Sequence, residues 1–164
     1  MTRPKAQFVD PRDAGLRGLS LSRPVFDDGA VVRATQALET MGESMEAWLD
    51  ADISKLQTAR VGAERANWGA AELGALLVCA HDLKGMGTTY GFPLVSKLAS
   101  SLCQLLDTEA GKAAAKQHPS LVCAHVDALR AAVRDRIRDE HHPTGHALLR
   151  MLSAEVAKLG VAPF

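Results

Sequence analysis

The chain is poor in aromatic residues and cysteines and carries no excess of either charge. Aromatic side chains make up 4% of its 164 residues and there are 3 cysteines, whereas 47% of the residues are hydrophobic. Such a composition fits a single soluble globular domain. No two cysteines are spaced as closely as those that bind zinc or exchange disulfides, so we expect Cys79, Cys103 and Cys123 to be small buried hydrophobic residues.

Charge and hydropathy argue against two classes of partner. Of the 19 basic and 19 acidic residues, 5 basic and 2 acidic ones precede Asp27, which leaves 14 basic and 17 acidic residues in the remainder. That slightly acidic body argues against binding to nucleic acid. No apolar run reaches the roughly 18 to 20 residues that cross a bilayer, and Arg3, Lys5 and Asp10 interrupt any signal-peptide core. We therefore expect a cytoplasmic protein without a membrane partner.

Apolar residues recur at helical spacing along most of the chain, and no alternating run indicates a strand. The first predicted helix runs from Asp27 or Asp28 to about Gly62 and has an apolar stripe from Leu38 to Leu56. The second runs from about Trp68 to Tyr90, and the third begins at Leu94 and fades between Gly111 and His118. The fourth runs from Pro119 through Ile137, and the fifth follows Pro143. Four helices with short connections imply an antiparallel up-down bundle.

The predicted fold class is therefore all-α. It is an antiparallel up-down four-helix bundle with an irregular N-terminal arm and an additional C-terminal helix. The predicted organisation is an arm over residues 1–26, a bundle over 27–140 and a C-terminal extension over 141–164. The helix of that extension either packs across the bundle or mediates self-association.

One stretch, late in the second helix, has the pattern of a reactive site. In an α-helix, positions i+3 and i+4 share a face with position i, so Lys84 places a cation beside the ring of His81, and Gly85 removes a side chain from beside it. A neutral imidazole is nucleophilic near pH 7, because the free residue titrates around 6.5. This arrangement suits an anion that arrives on a bulky partner.

The three glycines around this stretch predict different roles. A glycine inside a helix costs roughly 1 kcal/mol relative to alanine, so Gly85 and Gly87 need a reason other than helix stability. Gly87 falls on the apolar side of the helix, where we expect it to pack against a neighbour, and Gly85 falls on the side of His81, where we do not. Gly91 precedes Phe92 and Pro93, and we expect it to end the helix in the left-handed conformation.

The second helix is expected to bury one face and expose another. The inward stripe consists of Leu73, Leu76, Ala80, Leu83, Gly87 and Tyr90. The neighbouring face, which borders the core and points outward, consists of Leu77, His81, Lys84, Gly85 and Thr88. A second protein could reach a nucleophile in such a position.

These residues resemble the signature of the histidine-containing phosphotransfer (HPt) domain, in which Ala-His-x-Leu-Lys-Gly leads, after five further positions, to a second glycine. The matching positions are Ala80, His81, Leu83, Lys84, Gly85 and Gly91. The family usually has small residues after Lys-Gly, and Met86 departs from that pattern whereas Gly87 conforms. The resemblance in helix pattern extends over about Asp28 to Asp139.

The resemblance implies a phosphoryl carrier in a multistep two-component phosphorelay. His81 would carry the phosphoryl group on Nε2, Lys84 would offset its charge, and Gly85 would leave room for the partner. Leu77 and Thr88, with Val78 as a weaker candidate, would frame the docking patch. The implied partners are response-regulator receiver domains and a hybrid or sensor histidine kinase. The receiver would bring the magnesium ion, so no cofactor is expected on this chain, which is expected to be a monomer.

Other interpretations of the chain stay open. It could be a non-catalytic helical adaptor in which His81 is structural, or a dimeric kinase-like histidine phosphotransferase. The chain shows no ATP-binding glycine signature, so no ATP-dependent kinase activity is expected. His142 and His146 have the i, i+4 spacing of metal ligands, but Pro143 interrupts the helix between them, and no metal site is expected.

Overall fold

The computed structural model describes residues 28–139 and 141–160, and every regular element within them is an α-helix. The helices are α1 (Asp28–Arg65), α2 (Ala70–Met86), α3 (Pro93–Leu106), α4 (Glu109–Gln117), α5 (Pro119–Arg134) and α6 (Pro143–Lys158). The predicted all-α class is confirmed. The predicted arm over residues 1–26, and Asp27 as a possible cap, lie outside the described residues. The antiparallel order of the bundle and the predicted domain bounds stay predictions.

The sequence pattern does not predict α4, because this segment has the pattern of a third helix that fades in polar residues. The side chain of Thr108 caps this helix by accepting a hydrogen bond from the N–H of Gly111 at 3.0 Å. The segment is also rich in alanine, the residue that forms helices most readily. The fourth predicted helix is shorter than expected: it ends at Arg134 and not at Ile137, because Arg136 takes a positive φ of 51° that leaves the helix.

The core is organised around α3. This helix packs against α2, α4, α5 and α6, and most of its residues are buried. From residue 39 onward the chain forms one compact unit, in which α1 contributes Leu49, Leu56 and Ala63 to the core. Because α3 contacts α2 as well as α5 and α6, it joins the helix that carries His81 to the rest of the core.

The apolar stripe of α1 is buried over only part of its predicted length. Leu49 and Leu56 are buried, whereas Met41 and Trp48 are 49% and 54% exposed. The other compact unit ends at Leu38, and its described part is the first turns of α1, where Leu38 is exposed. Although α1 is 38 residues long, neither it nor another described helix is apolar enough over a sufficient length to span a membrane.

The C-terminal helix packs against the rest of the compact unit. Its contacts are with α3 and α5, and its residues Leu152 and Val156 are buried. Gly145 lets the first turn of α6 approach Leu94, since a Cβ at this position would meet the Leu94 side chain. Of the two roles considered for this helix, packing across the other helices is the one that the structure shows.

A buried polar chain joins α3, α5 and α6. His125 Nδ1 lies 2.8 Å from the carbonyl oxygen of Leu121, and Nε2 lies 3.0 Å from Ser101 Oγ. Because a carbonyl oxygen only accepts, Nδ1 carries the ring proton, and Nε2 accepts from the Ser101 hydroxyl. Ser153 Oγ donates in turn to Ser101 Oγ at 3.4 Å. Every polar atom of the buried ring is thus satisfied while the ring is neutral.

We expect the free energy of unfolding to fall as the pH is lowered from about 6.5, the pKa of a histidine in an unfolded chain. Burial lowers the pKa of His125 in the folded protein, and the hydrogen bond to Leu121 opposes that effect without cancelling it. Between the lowered pKa and 6.5, the unfolded chain therefore binds a proton that the folded chain does not, and acid favours unfolding.

Urea titrations at about pH 7.5 and about pH 5.5 measure this effect. The control is His125→Gln, which cannot titrate but keeps an amide that can bond Ser101. The wild type should lose more stability between the two pH values than this variant. An equal loss in both proteins would contradict the assignment of the pH dependence to His125.

Candidate functional site

The two faces of α2 are those that the sequence predicted. All members of the inward stripe are buried, and Ala80 and Leu83 on either side of His81 are fully so. His81 itself is exposed, as are Lys84 and Gly85, while Leu77 is half-buried. The packing of Ala80 and Leu83 therefore holds the backbone of α2 in place and leaves the imidazole accessible.

Regular α2 ends at Met86, four residues earlier than predicted, and passes into a hydrogen-bonded turn. The N–H of Thr88 bonds Ser96 Oγ at 2.8 Å and its hydroxyl lies 3.1 Å from the same atom, so α3 holds the end of α2. Gly91 has a φ of 81°, which confirms the expected left-handed stop. Ser96, which no sequence pattern marks as important, thus holds the turn that follows α2.

Gly85 and Gly87 differ as predicted. A Cβ at Gly87 would lie 2.7 Å from Ser96 Oγ and 2.9 Å from the backbone nitrogen of Ser96, so only glycine lets α3 come this close. A Cβ at Gly85 would meet nothing within 4 Å. Gly87 is therefore a packing residue, and the open space at Gly85 lies on the surface beside His81.

A groove of about 480 Å³ runs between α2 and the end of α3. Its lining residues are Leu77, Val78, His81, Asp82, Lys84, Cys103 and Asp107. It brings together four of the predicted site residues, whereas Gly85 and Thr88 are not part of its lining. Cys103 and Asp107 are not among the residues that the sequence predicts for the site. Their i, i+4 spacing puts them on one face of the third helix, but no sequence signal pairs that face with His81.

The family model of the Hpt domain matches residues 36–136, which is more than half of the chain. The chain belongs to the HPt family. No curated protein and no solved structure matches it. The matched range begins inside α1 and ends two residues after α5, so the HPt domain contains the whole groove, and α6 follows it.

Two side chains of opposite charge in the HPt domain, Lys84 and Asp107, act on the buried thiol of Cys103 in α3. Burial is the main reason why the pKa of the Cys103 thiol is raised to about 11. The ammonium of Lys84 lowers this pKa, and the carboxylate of Asp107 raises it. The thiol therefore stays protonated near neutral pH and is a poor nucleophile. As expected, Cys103 is buried, whereas Cys79 and Cys123 are only partly buried. The imidazole of His81 is thus the exposed nucleophile of the groove.

One of the histidines near α6 caps the helix. His142 Nδ1 accepts a hydrogen bond from the N–H of Gly145 at 3.3 Å, which caps the first turn of α6. Over residues 28–139 and 141–160 of this HPt protein, no group of three or more His, Cys, Asp or Glu side chains lies close enough to hold a metal ion. His142 thus has a structural role at the start of α6.

Proposed function

We propose that this HPt domain carries a phosphoryl group on His81 in a multistep two-component phosphorelay and exchanges it with aspartates of response-regulator receiver domains. The observation that carries the proposal is the exposure of His81 at a groove that also holds Lys84. Buried neighbours hold the backbone of α2 at this point, so the imidazole is presented to a partner at a fixed place on the surface. Membership of the family supports a histidine phosphotransfer function.

In the proposed reaction, Nε2 of His81 attacks the phosphorus atom of an aspartyl phosphate. A new N–P bond forms, the P–O bond to the aspartate breaks, and the carboxylate leaves with the electron pair. The ammonium of Lys84 attracts the phosphoryl oxygens and offsets part of their charge. Phosphoryl transfer depends mainly on positioning and charge neutralisation, and the receiver supplies the magnesium ion and most of the catalytic groups. This chain then needs no cofactor of its own.

The proposed docking patch surrounds His81 and consists of Leu77, Val78, Gly85 and Thr88. Val78 is 61% exposed although it is apolar, and such side chains beside a groove are typical of protein contact surfaces. The hydrogen bonds to Ser96 hold Thr88 in place, and the open space at Gly85 admits a loop of the receiver. The patch therefore combines exposed apolar surface with open space for a partner.

The partners proposed on this basis are receiver domains and a hybrid or sensor histidine kinase, which charges the relay from ATP. We propose that the chain acts in the cytoplasm as a monomer, without nucleic acid or a membrane as partner. A dimeric kinase-like phosphotransferase is the alternative for its assembly. Sedimentation at micromolar concentration distinguishes the two, because a dimer has twice the mass of the 17.5 kDa chain.

Phosphoryl transfer from a panel of phosphorylated receiver domains tests the proposed function. We expect at least one receiver to label the protein rapidly, with a label that is lost in acid, is stable in alkali and maps to the peptide containing His81. Failure of every receiver to label the folded protein would contradict the proposal and favour the helical adaptor. An adaptor would bind its partner equally well without a nucleophile at position 81.

Filling the open space at Gly85 should slow transfer without unfolding the protein. A side chain at this exposed helical position removes the cost of glycine, so Gly85→Gln should keep or raise the free energy of unfolding by up to about 1 kcal/mol. The same side chain would collide with a docked receiver, and we expect transfer to slow on the order of tenfold or more.

The matched control is Gly74→Gln, three turns earlier on α2, where a Cβ also meets nothing within 4 Å. Gly74 does not line the groove, so this variant should transfer as the wild type does. Equal rates for all three proteins would contradict the role of Gly85 in docking.

A further inference from the structure

The two walls of the groove differ in charge. On α2, Asp82 directly follows His81 and Lys84 stands one turn beyond it, so this wall carries one charge of each sign. On the other wall, Asp107 at the end of α3 is the one charged residue among the lining residues, and the last turn of α3 contains no basic residue. A phosphoryl group on His81 would therefore face, across the groove, a carboxylate that no cation of the same wall offsets.

Lys84 and Asp107 line the same groove as His81, one on each wall, so both charges lie beside the place of a phosphoryl group on His81. Both charges also act on the thiol of Cys103 in the same lining, where Lys84 lowers the pKa and Asp107 raises it. Salt weakens such interactions, because the Debye length is about 8 to 10 Å at physiological ionic strength.

We propose that Asp107 shortens the lifetime of phosphohistidine at His81 and so favours passage of the phosphoryl group to the next receiver. The inference rests on the proposed function. The carboxylate repels the phosphoryl oxygens most strongly in the phosphorylated state, and the repulsion falls as the phosphoryl group loosens from Nε2 in the transition state. Asp107 thereby opposes Lys84, and the pair sets how long the carrier holds its group.

The same step can be followed without a receiver, as hydrolysis. The oxygen of a water molecule forms a bond to phosphorus, the N–P bond breaks, and Nε2 keeps the electron pair. With Nδ1 protonated, the imidazole leaves neutral, and the water releases its proton with inorganic phosphate. The group that repels the phosphoryl oxygens acts on this reaction as it does on transfer, so the change in hydrolysis rate between the wild type and an Asp107 variant reports on Asp107 without a receiver.

The test measures the half-life of phosphohistidine after loading with phosphoramidate, a small phosphoryl donor, and subtracts the label found in a His81→Gln protein. We expect Asp107→Asn to lengthen the half-life on the order of threefold to tenfold at low salt, and less at about 1 M salt, where the Debye length is about 3 Å. Asp107→Glu, which keeps the charge, should restore the short half-life.

Asp135→Asn is the matched control. Asp135 is an exposed aspartate at the end of α5, as Asp107 is at the end of α3, but it pairs with Arg134 and does not line the groove. The half-life of phosphohistidine in Asp135→Asn should equal that in the wild type. Asp107 also directly precedes the cap of α4, where a carboxylate favours the helix start. A purely structural role would change thermal stability and leave both the half-life and its salt dependence unmoved.

The outcomes separate the two proposals. If receivers label His81 and Asp107→Asn decays as fast as the wild type, the inference about Asp107 is wrong and the proposed function stands. If neither phosphoramidate nor any receiver labels His81, both are wrong. A longer half-life in Asp107→Asn that is insensitive to salt would also overturn the inference, because an electrostatic effect must weaken as salt rises.

Discussion

Replacing His81 by glutamine should abolish phosphoryl uptake from receiver domains while leaving the fold intact. Glutamine has no nucleophilic ring nitrogen, so we expect the transfer rate to fall on the order of a thousandfold or more. The side chain is exposed, and a substitution at such a position changes the free energy of unfolding by about 0.5 kcal/mol or less. Acid-labile labelling and urea unfolding of the same preparation measure both quantities.

The control for this prediction is His146→Gln. His146 is an exposed histidine on α6, outside the groove and outside the matched HPt range. We expect this variant to accept phosphoryl groups at the wild-type rate. Label that persists in His81→Gln and disappears in His146→Gln would show that His146 on α6 carries the phosphoryl group. That outcome would refute the assignment to His81.

Replacing Gly87 by alanine should produce a large loss of stability. The added Cβ would lie within 3 Å of three atoms, two of them backbone atoms of Leu83 and Ser96, which cannot rotate away. Inserting a methyl group into such a contact costs about 1 to 3 kcal/mol, and here we expect at least about 2 kcal/mol, since α2 or α3 must shift. The shift would also disturb the hydrogen bonds from Thr88 to Ser96. Urea unfolding measures the loss.

Gly85→Ala is the comparison, two residues earlier in the same helix. Alanine at this open position should leave the stability unchanged or raise it by up to about 1 kcal/mol, because it removes the conformational cost of glycine. The two variants add the same methyl group. If Gly87→Ala lowers the free energy of unfolding and Gly85→Ala does not, the loss comes from the close contact with Ser96. Similar stabilities for both would show that α3 does not approach α2 closely at Gly87.

The elements that sequence predicts well here depend on spacing along one helix. The burial of Ala80 and Leu83 and the exposure of His81 and Lys84 follow from the helical period of 3.6 residues, which needs no knowledge of the neighbouring helix. The stop at Gly91 follows similarly from local chemistry, since glycine before Phe-Pro favours a left-handed residue. The different positions of Gly85 and Gly87 on the two faces come from the same period.

Other features required the tertiary structure. The stripe of α1 has one period throughout, yet Met41 is half exposed while Leu49 is buried, because burial depends on where the packed helices end. The pairing of His125 with Ser101 likewise depends on how α3 and α5 are aligned along their length.

The sequence by itself determined the helical class, the faces of α2 and the motif that includes His81, because each is a local pattern within one segment. Only the tertiary structure placed Ser96 under the end of α2 and Asp107 across the groove from Lys84. These contacts join residues of different helices, and periodicity fixes which face a helix buries without fixing the register in which two helices pack. The charge environment proposed for the phosphoryl group is therefore a property of the packed helices.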